Sequence, residues 1–549
     1  MVRKGATSGR FPHGTCDPTS LKKVTYSSHR NKPVPRRSLL QLGGLGALSL
    51  AGAACTSADG PVALPQDAAR GEPSQGGTLR IARPANSRAE TLHPAASLSA
   101  YEYLGALYNR LVKLDEAGVP VPDLATDWEV SDDAMLWTFR MRDGVEFHDG
   151  RPFTASDAAY TLAQILDPDL GSPQLGVLAP VMSASGLRVQ DPTTLVIELD
   201  SPHSDLPSLL SAYQCYVIPD GSGGEIGATG IGTGPFRLDT FRAGGRGRVL
   251  AYDDHFAGRP VVDEIEFYSV QDTQARTNAL IAGQVHLLSQ SNLDFASAQV
   301  VEASAKATIA RVENGQWYTI PTLATSPEFS DVRIRKALKL AYDPARILAV
   351  AAQGNGVIGN DNPVLPTDAA YLDLPHERDP DRARALLAEA GHPNGFSFDL
   401  STSALDPVFT PMAVSFANTV RDAGFDVSVR NESADSYYTE VWMQKPAMVT
   451  YWFTGRPVDQ LLNQIFRSGS SYNESAWSNE QFDSVLDAAR AEVDPDRRIQ
   501  HYQDAQRLIV EEGATITPMF ADRLVGISRD VVNYHEHGFE FDYINIGLR

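Results

Sequence analysis

Residues 128–160 read WEVSDDAMLWTFRMRDGVEFHDGRPFTASDAAY, and the pattern changes twice along that stretch. Trp128-Glu129-Val130 and Leu136-Trp137-Thr138-Phe139-Arg140-Met141 are rich in aromatic and β-branched residues, which suit strands, and the polar Ser131-Asp132-Asp133 between them suits a turn. Thr154 and Asp157 then stand three residues apart as the acidic form of a capping box, so a helix is expected from there through Ile165. Strand, turn, strand and helix in one short run point to an α/β body.

The same mixture extends outward. Thr78-Leu79-Arg80-Ile81-Ala82 is expected as a strand, and Tyr101, Leu104, Leu107, Leu111 and Leu114 give residues 99–114 helical spacing. Further strands are expected at 194–199, 248–252 and 264–270, with the Gly-rich stretch 221–234 as a domain crossing. Asp379 as N-cap, Pro380 at the first helical position, the Leu386-Leu387 face and Gly391 just past the end specify a helix. Strand 396–400, helix 409–423 with Gly424 after it, and strand 425–429 form a β-α-β unit with parallel pairing. A strand at 447–453 and helices at 458–466, 480–491 and 496–511 follow.

The chain has 549 residues, a formal net charge of −21 and 3 Cys, which predicts two or three domains and excludes a disulfide scaffold. So acidic a protein has no broad basic surface for nucleic acid. Residues 1–54 carry nine Lys/Arg and one acid, leaving 38 basic and 67 acidic residues in the rest. Arg36-Arg37 precede a weakly apolar run, Ser38 to Ala54, too short and soft for a membrane span. It reads as a signal peptide over 1–54, its paired arginines resembling a twin-arginine export signal. Ala51-Gly52-Ala53-Ala54-Cys55 resembles a lipobox, with Gly52 where that pattern has Leu, which makes Cys55 the expected lipidation site and 55–75 a flexible tether. Cys215, in an apolar run, is expected in the core.

No nucleophile elbow, zinc-protease motif, phosphate-binding loop or C-x-x-C occurs, so no catalytic residue, metal site or cofactor is expected. Residues 354–359 spell G-x-G-x-x-G, but a helical pattern precedes them and Asn360-Asp361-Asn362-Pro363 follows, so no helix start could receive a phosphate. His535 and His537 flank Glu536, and a polar loop or edge suits them better than a two-ligand metal site.

Several segments together resemble the family 5 solute-binding proteins of bacterial ABC importers. They are Gly76–Ile81, Leu107–Val112, Pro120–Ala125, the stretch 128–160, Gly232–Phe236, Tyr252–Pro260, Asp331–Ala337 and "ARALLAEAGHPNG" at 383–395, in order over about 76–545. The resemblance implies a periplasmic-binding-protein-like fold (class II, cluster C type), two lobes with a hinge and an additional third domain. Residues 76–118, 222–300 and 515–549 are then domain I, 119–221 domain II, and 301–514 domain III. It also implies a monomer, not an enzyme, that carries a small-molecule or oligopeptide ligand to the permease subunits from the outer face of the membrane. A receptor for a signalling peptide, a chaperone-like capture protein and a secreted hydrolase are the competing readings.

In the family's peptide-binding branch an aspartate in the segment resembling 450–457 holds the peptide's amino terminus. Here that segment, Thr450-Tyr451-Trp452-Phe453-Thr454-Gly455-Arg456-Pro457, holds no acid and offers a guanidinium fork suited to a carboxylate or phosphate. Candidate ligand-binding residues are therefore Arg456, Trp452, Tyr451, Trp317 and Tyr318. The competing reading makes the aromatics core residues and pairs Arg456 with a surface acid. Strand alternation sends Tyr451 and Phe453 to one face and Trp452 to the other.

Overall fold

Two long antiparallel strands, Ala307–Pro321 and Thr515–Ser528, run through the middle of the molecule, paired from Ala307↔Ser528 to Pro321↔Thr515. The structure, a computed structural model, describes residues 21–23, 71–84, 90–115, 118–290, 292–434, 436–537 and 540–549. At one end the two strands pack into a core with Leu280, Leu288 and Val301. At the other, Tyr318, Ile320, Ile516 and Met519 join a second core with Phe409, Phe416 and Tyr437. One strand pair thus belongs to two hydrophobic units, which is how a hinge between lobes is built. Midway, between Val312 and Gln316, the register shifts and Asn314 takes φ 48°. Asp522 holds this bulge, accepting from the Asn314 backbone N at 2.7 Å and pairing with Arg311.

The central sheet continues on both sides of that pair. Thr450–Phe453 lies beyond Ala307–Pro321, while Leu287–Leu288, Thr78–Arg83, Glu264–Ser269, Arg246–Ala251 and Phe236–Thr240 extend from Thr515–Ser528. A separate antiparallel sheet has the order Leu21–Lys23, Ala125–Ser131, Leu136–Met141, Thr194–Glu198, Leu187–Asp191. Helix Ala155–Ile165 packs on it, closed at its start by the expected capping box: Thr154 accepts from Ser156 N, and Asp157 accepts from Thr154 N at 2.8 Å. Trp137, Phe139 and Cys215 share this core.

The β-α-β unit forms as read. Phe396–Ser403 and Phe425–Glu432 pair in parallel across helix Phe409–Thr419, and Gly424 reverses the chain at φ 90°. Asp379 caps helix Pro380–Glu389 by accepting from Arg382 N. Helices Val458–Ile465, Glu480–Ala491 and Pro495–Glu512 gather around Trp477, Phe482 and Tyr502.

Two expectations change. The helix expected over 99–114 covers only Tyr101–Leu107. Asp123 accepts from the Arg110 backbone N at 2.9 Å and turns the chain into Val112–Leu114, which pairs with Pro120–Pro122. Leu104 and Leu107 belong to one core, whereas Leu111 and Val112 belong to the core of the five-stranded sheet, so the leucine spacing ran on past the end of the helix. The strand expected over 447–453 is regular only at Thr450–Phe453, since Ala447 and Met448 make single bridges to Thr322 and Ser401 where the chain crosses between sheets. The G-x-G-x-x-G stretch supplies strand Gly356–Ile358; a Cβ at Gly356 would lie 2.1 Å from Phe520 O, so close backbone approach explains that glycine. At the end of the span read as tether, Ser74 N donates to Leu548 O at 2.7 Å. Arg36, Arg37 and Cys55 lie outside the described residues.

Candidate functional site

The five candidate residues meet. Cross-strand pairing sets Trp317 opposite Trp452 and Tyr318 opposite Tyr451. Alternation divides them as expected. Tyr451 packs on Phe453, Phe409 and Tyr318, whereas Trp452 stacks 6.4 Å from Trp317. Trp317 and Tyr318, 1% and 0% exposed, are core residues behind the half-buried Trp452 and Tyr451. Tyr318 donates to Gln316 Oε1 at 2.9 Å and Asp406 Oδ1 at 3.1 Å. Burial pushes the Asp406 carboxyl up to about 6, against the donors Val408 N, Tyr318 and Asn292.

Arg456 follows a left-handed turn at Gly455 (φ 86°), lies over the Trp452 ring at 5.1 Å, and donates to Phe453 O at 2.6 Å. It makes no ion pair among the described residues. Burial pulls its guanidinium down to about 10, and the phenols of Tyr101, Tyr213 and Tyr472 only partly oppose this. Tyr101 begins the short helix at 101–107, and its ring meets that of Tyr213 edge-on at 5.0 Å. Arg456 therefore sits near Tyr101 and Tyr213, which lie far from it in the chain, and no anion among the described residues offsets its desolvation cost.

The acid nearest to Arg456 in the chain is committed elsewhere. Asp459 is fully buried and receives Arg490 Nη2 at 3.0 Å, His203 Nε2 at 3.2 Å and Tyr502 Oη at 3.2 Å. Burial opposes its ionisation, but Arg490 and His203 prevail and hold the carboxyl far below the usual range. His203 comes from the unit of the five-stranded sheet, and Ser204 N donates to Arg490 O at 2.7 Å beside it, so this cluster ties that unit to the 458–512 helices. Glu536, between His535 and His537, is held by Arg523 and Tyr534. Sequence reasoning missed Tyr101, Tyr213, Tyr472 and Glu474. Tyr101 and Tyr213 lie far along the chain from Arg456, while Tyr472 and Glu474 follow it beyond helix Val458–Ile465 in a loop without a regular period, so no spacing links them.

Arg456, which makes no ion pair among the described residues and lies against the Trp452 ring, is suited to hold an anionic group. Residues 119–474 match the model for bacterial extracellular solute-binding proteins, family 5 (middle region), and the chain belongs to that family. Heme-binding protein A of Haemophilus influenzae is 25% identical over 471 residues, covering 79% of this chain and 85% of that protein. The glutathione-binding protein GsiB of Escherichia coli K12 is 26% identical over 475 residues, covering 82% and 90%. The dipeptide-binding protein of Pseudoalteromonas sp. SM9913, solved with Met-Leu, superposes with a TM-score of 0.73 at 19% identity, over 86% of this chain and 100% of that one. The fold is accordingly the two-lobe periplasmic binding-protein fold, and the family consists of extracytoplasmic binding proteins.

Proposed function

We propose that this protein captures a small, carboxylate-bearing, peptide-like solute between its lobes and hands it to the permease of an ABC importer, without transforming it. Arg456 is the anion clamp, Trp452 and Tyr451 are the contact walls, and Trp317 and Tyr318 support them from behind. The observation that carries this reading is the half-buried Arg456 guanidinium, which has no carboxylate partner among the described residues. A ligand anion offsets its desolvation and adds a bidentate, charge-assisted contact. The two relatives named above bind glutathione and heme by their names, and both molecules carry carboxylates.

The test compares reduced glutathione and tri-alanine with the C-terminal amide of tri-alanine by calorimetry. The expected result is binding of the carboxylates, with at least tenfold loss for the amide and for Arg456→Ala, about 1.4 kcal/mol. A loss under threefold removes Arg456 from the site. In the same proposal the chain is exported through Arg36-Arg37, anchored by lipid on Cys55 and monomeric. Cys55→Ser should then move it from the membrane fraction to the soluble one, and unchanged membrane retention argues against the anchor.

A further inference from the structure

Glu474 is 3% exposed, yet it is one of the most heavily used acceptors in the second lobe. Trp442 Nε1 donates to its Oε1 at 2.6 Å, and Trp452 Nε1 and Thr450 Oγ1 donate to its Oε2, each at 3.0 Å. Thr319 Oγ1 reaches the same oxygen at 3.4 Å. Isolating a carboxylate from water is costly, and hydroxyls alone could be satisfied by one another, as Thr319 and Thr450 already are at 2.6 Å. Two indole N–H groups from separate segments cannot be satisfied that way, because an indole only donates.

The backbone around these groups is unusually constrained. Asn473 Nδ2 donates to Phe466 O, Arg467 O and Trp477 O, fixing the loop that carries Glu474, and Ala476 there takes φ 50°. Trp442 ends a π-type turn, Tyr437–Val441, and is followed by Met443 at φ 58°. Non-glycine residues in the left-handed region, and π turns, concentrate at ligand clamps. The same turn anchors Tyr437 on Val449 O and directs Tyr438 outward, 51% exposed.

The two indoles stand in a continuous row of rings. Tyr438 meets Trp442 at 6.0 Å and 80°, Trp442 meets Tyr472 at 6.0 Å, and Tyr472 meets Trp452 at 6.1 Å and 67°. Arg456 closes the row over Trp452. Tyr472, Trp442 and Trp452 are half-buried, so the row keeps open ring surface beside the Arg456 guanidinium.

We infer that Glu474 is a positioning residue of the binding site: it holds the Trp442 and Trp452 indoles as walls of an aromatic slot, and that slot takes a flat unsaturated group of a ligand whose carboxylate lies on Arg456. A flat group gains offset or edge-on ring contacts that a saturated group of equal size does not. This rests on the Arg456 reading proposed above.

The probes are Gly-Gly-Trp, Gly-Gly-Phe and Gly-Gly-Leu, titrated calorimetrically into wild type, Glu474→Gln, and Trp442→Phe/Trp452→Phe with and without Glu474→Gln. The wild type is expected to prefer the aromatic tripeptides by about tenfold. Glu474→Gln, whose amide can accept one indole but not both, should reduce that preference below threefold, keep Arg456-dependent Gly-Gly-Leu binding, and change the near-ultraviolet circular dichroism of the indoles. In the double-Phe background, where no N–H remains to be held, Glu474→Gln should have no further effect on selectivity. Binding through Arg456 with no aromatic preference, or a preference that survives Glu474→Gln, overturns this inference alone. Should Glu474→Gln fail to fold, an undiminished preference in the double-Phe protein overturns it equally. If no carboxylate probe binds, the Arg456 reading falls and takes this inference with it.

Discussion

Arg456 and Trp317 both lie against Trp452, the first half-buried and the second in the core, and they are used in opposite ways. Trp317 stacks on Trp452, Phe466 and Phe520 and is the hydrophobic filling of the second lobe. Arg456 is a half-buried charge whose protonated form the fold disfavours. A group whose pKa is lowered in the folded state destabilises that state wherever it stays charged, which for arginine includes neutral pH. Arg456→Met should therefore raise the thermal midpoint of the ligand-free protein while abolishing the ligand-induced rise, a trade of stability against function. A lower ligand-free midpoint would mean that Arg456 is a structural residue. Arg456 could be singled out in the sequence because an acid-free segment with one guanidinium stands out. The roles of Trp317 and Tyr318 were not, since an aromatic in a strand reads alike whether it faces ligand or core.

Single elements were legible where their signals are local. Thr154 and Asp157 announced a helix start three residues apart, and Gly424 announced a helix end, because capping and left-handed turns are settled by neighbouring backbone groups. Thr154→Ala should accordingly cost about 1 kcal/mol, read from the urea midpoint, while Thr154→Ser should restore most of it. Equal losses for both variants would show that the cap contributes through packing instead. The segment 99–114 was illegible for the converse reason. Its leucines continue a helical pattern across the Asp123 contact that ends the helix, and Asp123 is outside any local window. The bulge at 312–316 was equally hidden, because its holder, Asp522, lies on the partner strand about 200 residues away.

At the scale of the molecule, the lobes communicate through a strand pair and a buried charge cluster. The strands permit bending at their bulge, and the His203–Asp459–Arg490 cluster ties the five-stranded unit to the far lobe. Asp459 has a folded pKa far below its unfolded value near 4. Its stabilisation is thus fully present above about pH 4 and is lost as pH falls toward the folded value. Asp459→Asn should lower stability by roughly 3–5 kcal/mol at pH 7, since it leaves Arg490 buried without its anion. That difference from wild type, followed by urea unfolding, should shrink steadily below pH 4; a pH-independent difference would deny the cluster its electrostatic role. Composition, helix caps, the parallel β-α-β unit and the ordered family segments were determined by the sequence itself, because each depends on contacts within a few residues or on patterns read in order. The placing of Tyr101, Tyr213 and Tyr472 around Arg456, of Glu474 beneath the Trp442 and Trp452 indoles, and the commitment of Asp459 to Arg490 and His203 were decided only in three dimensions. Solvation and pairing of a charge depend on which distant groups the fold brings within a few ångströms, and no local spacing encodes that.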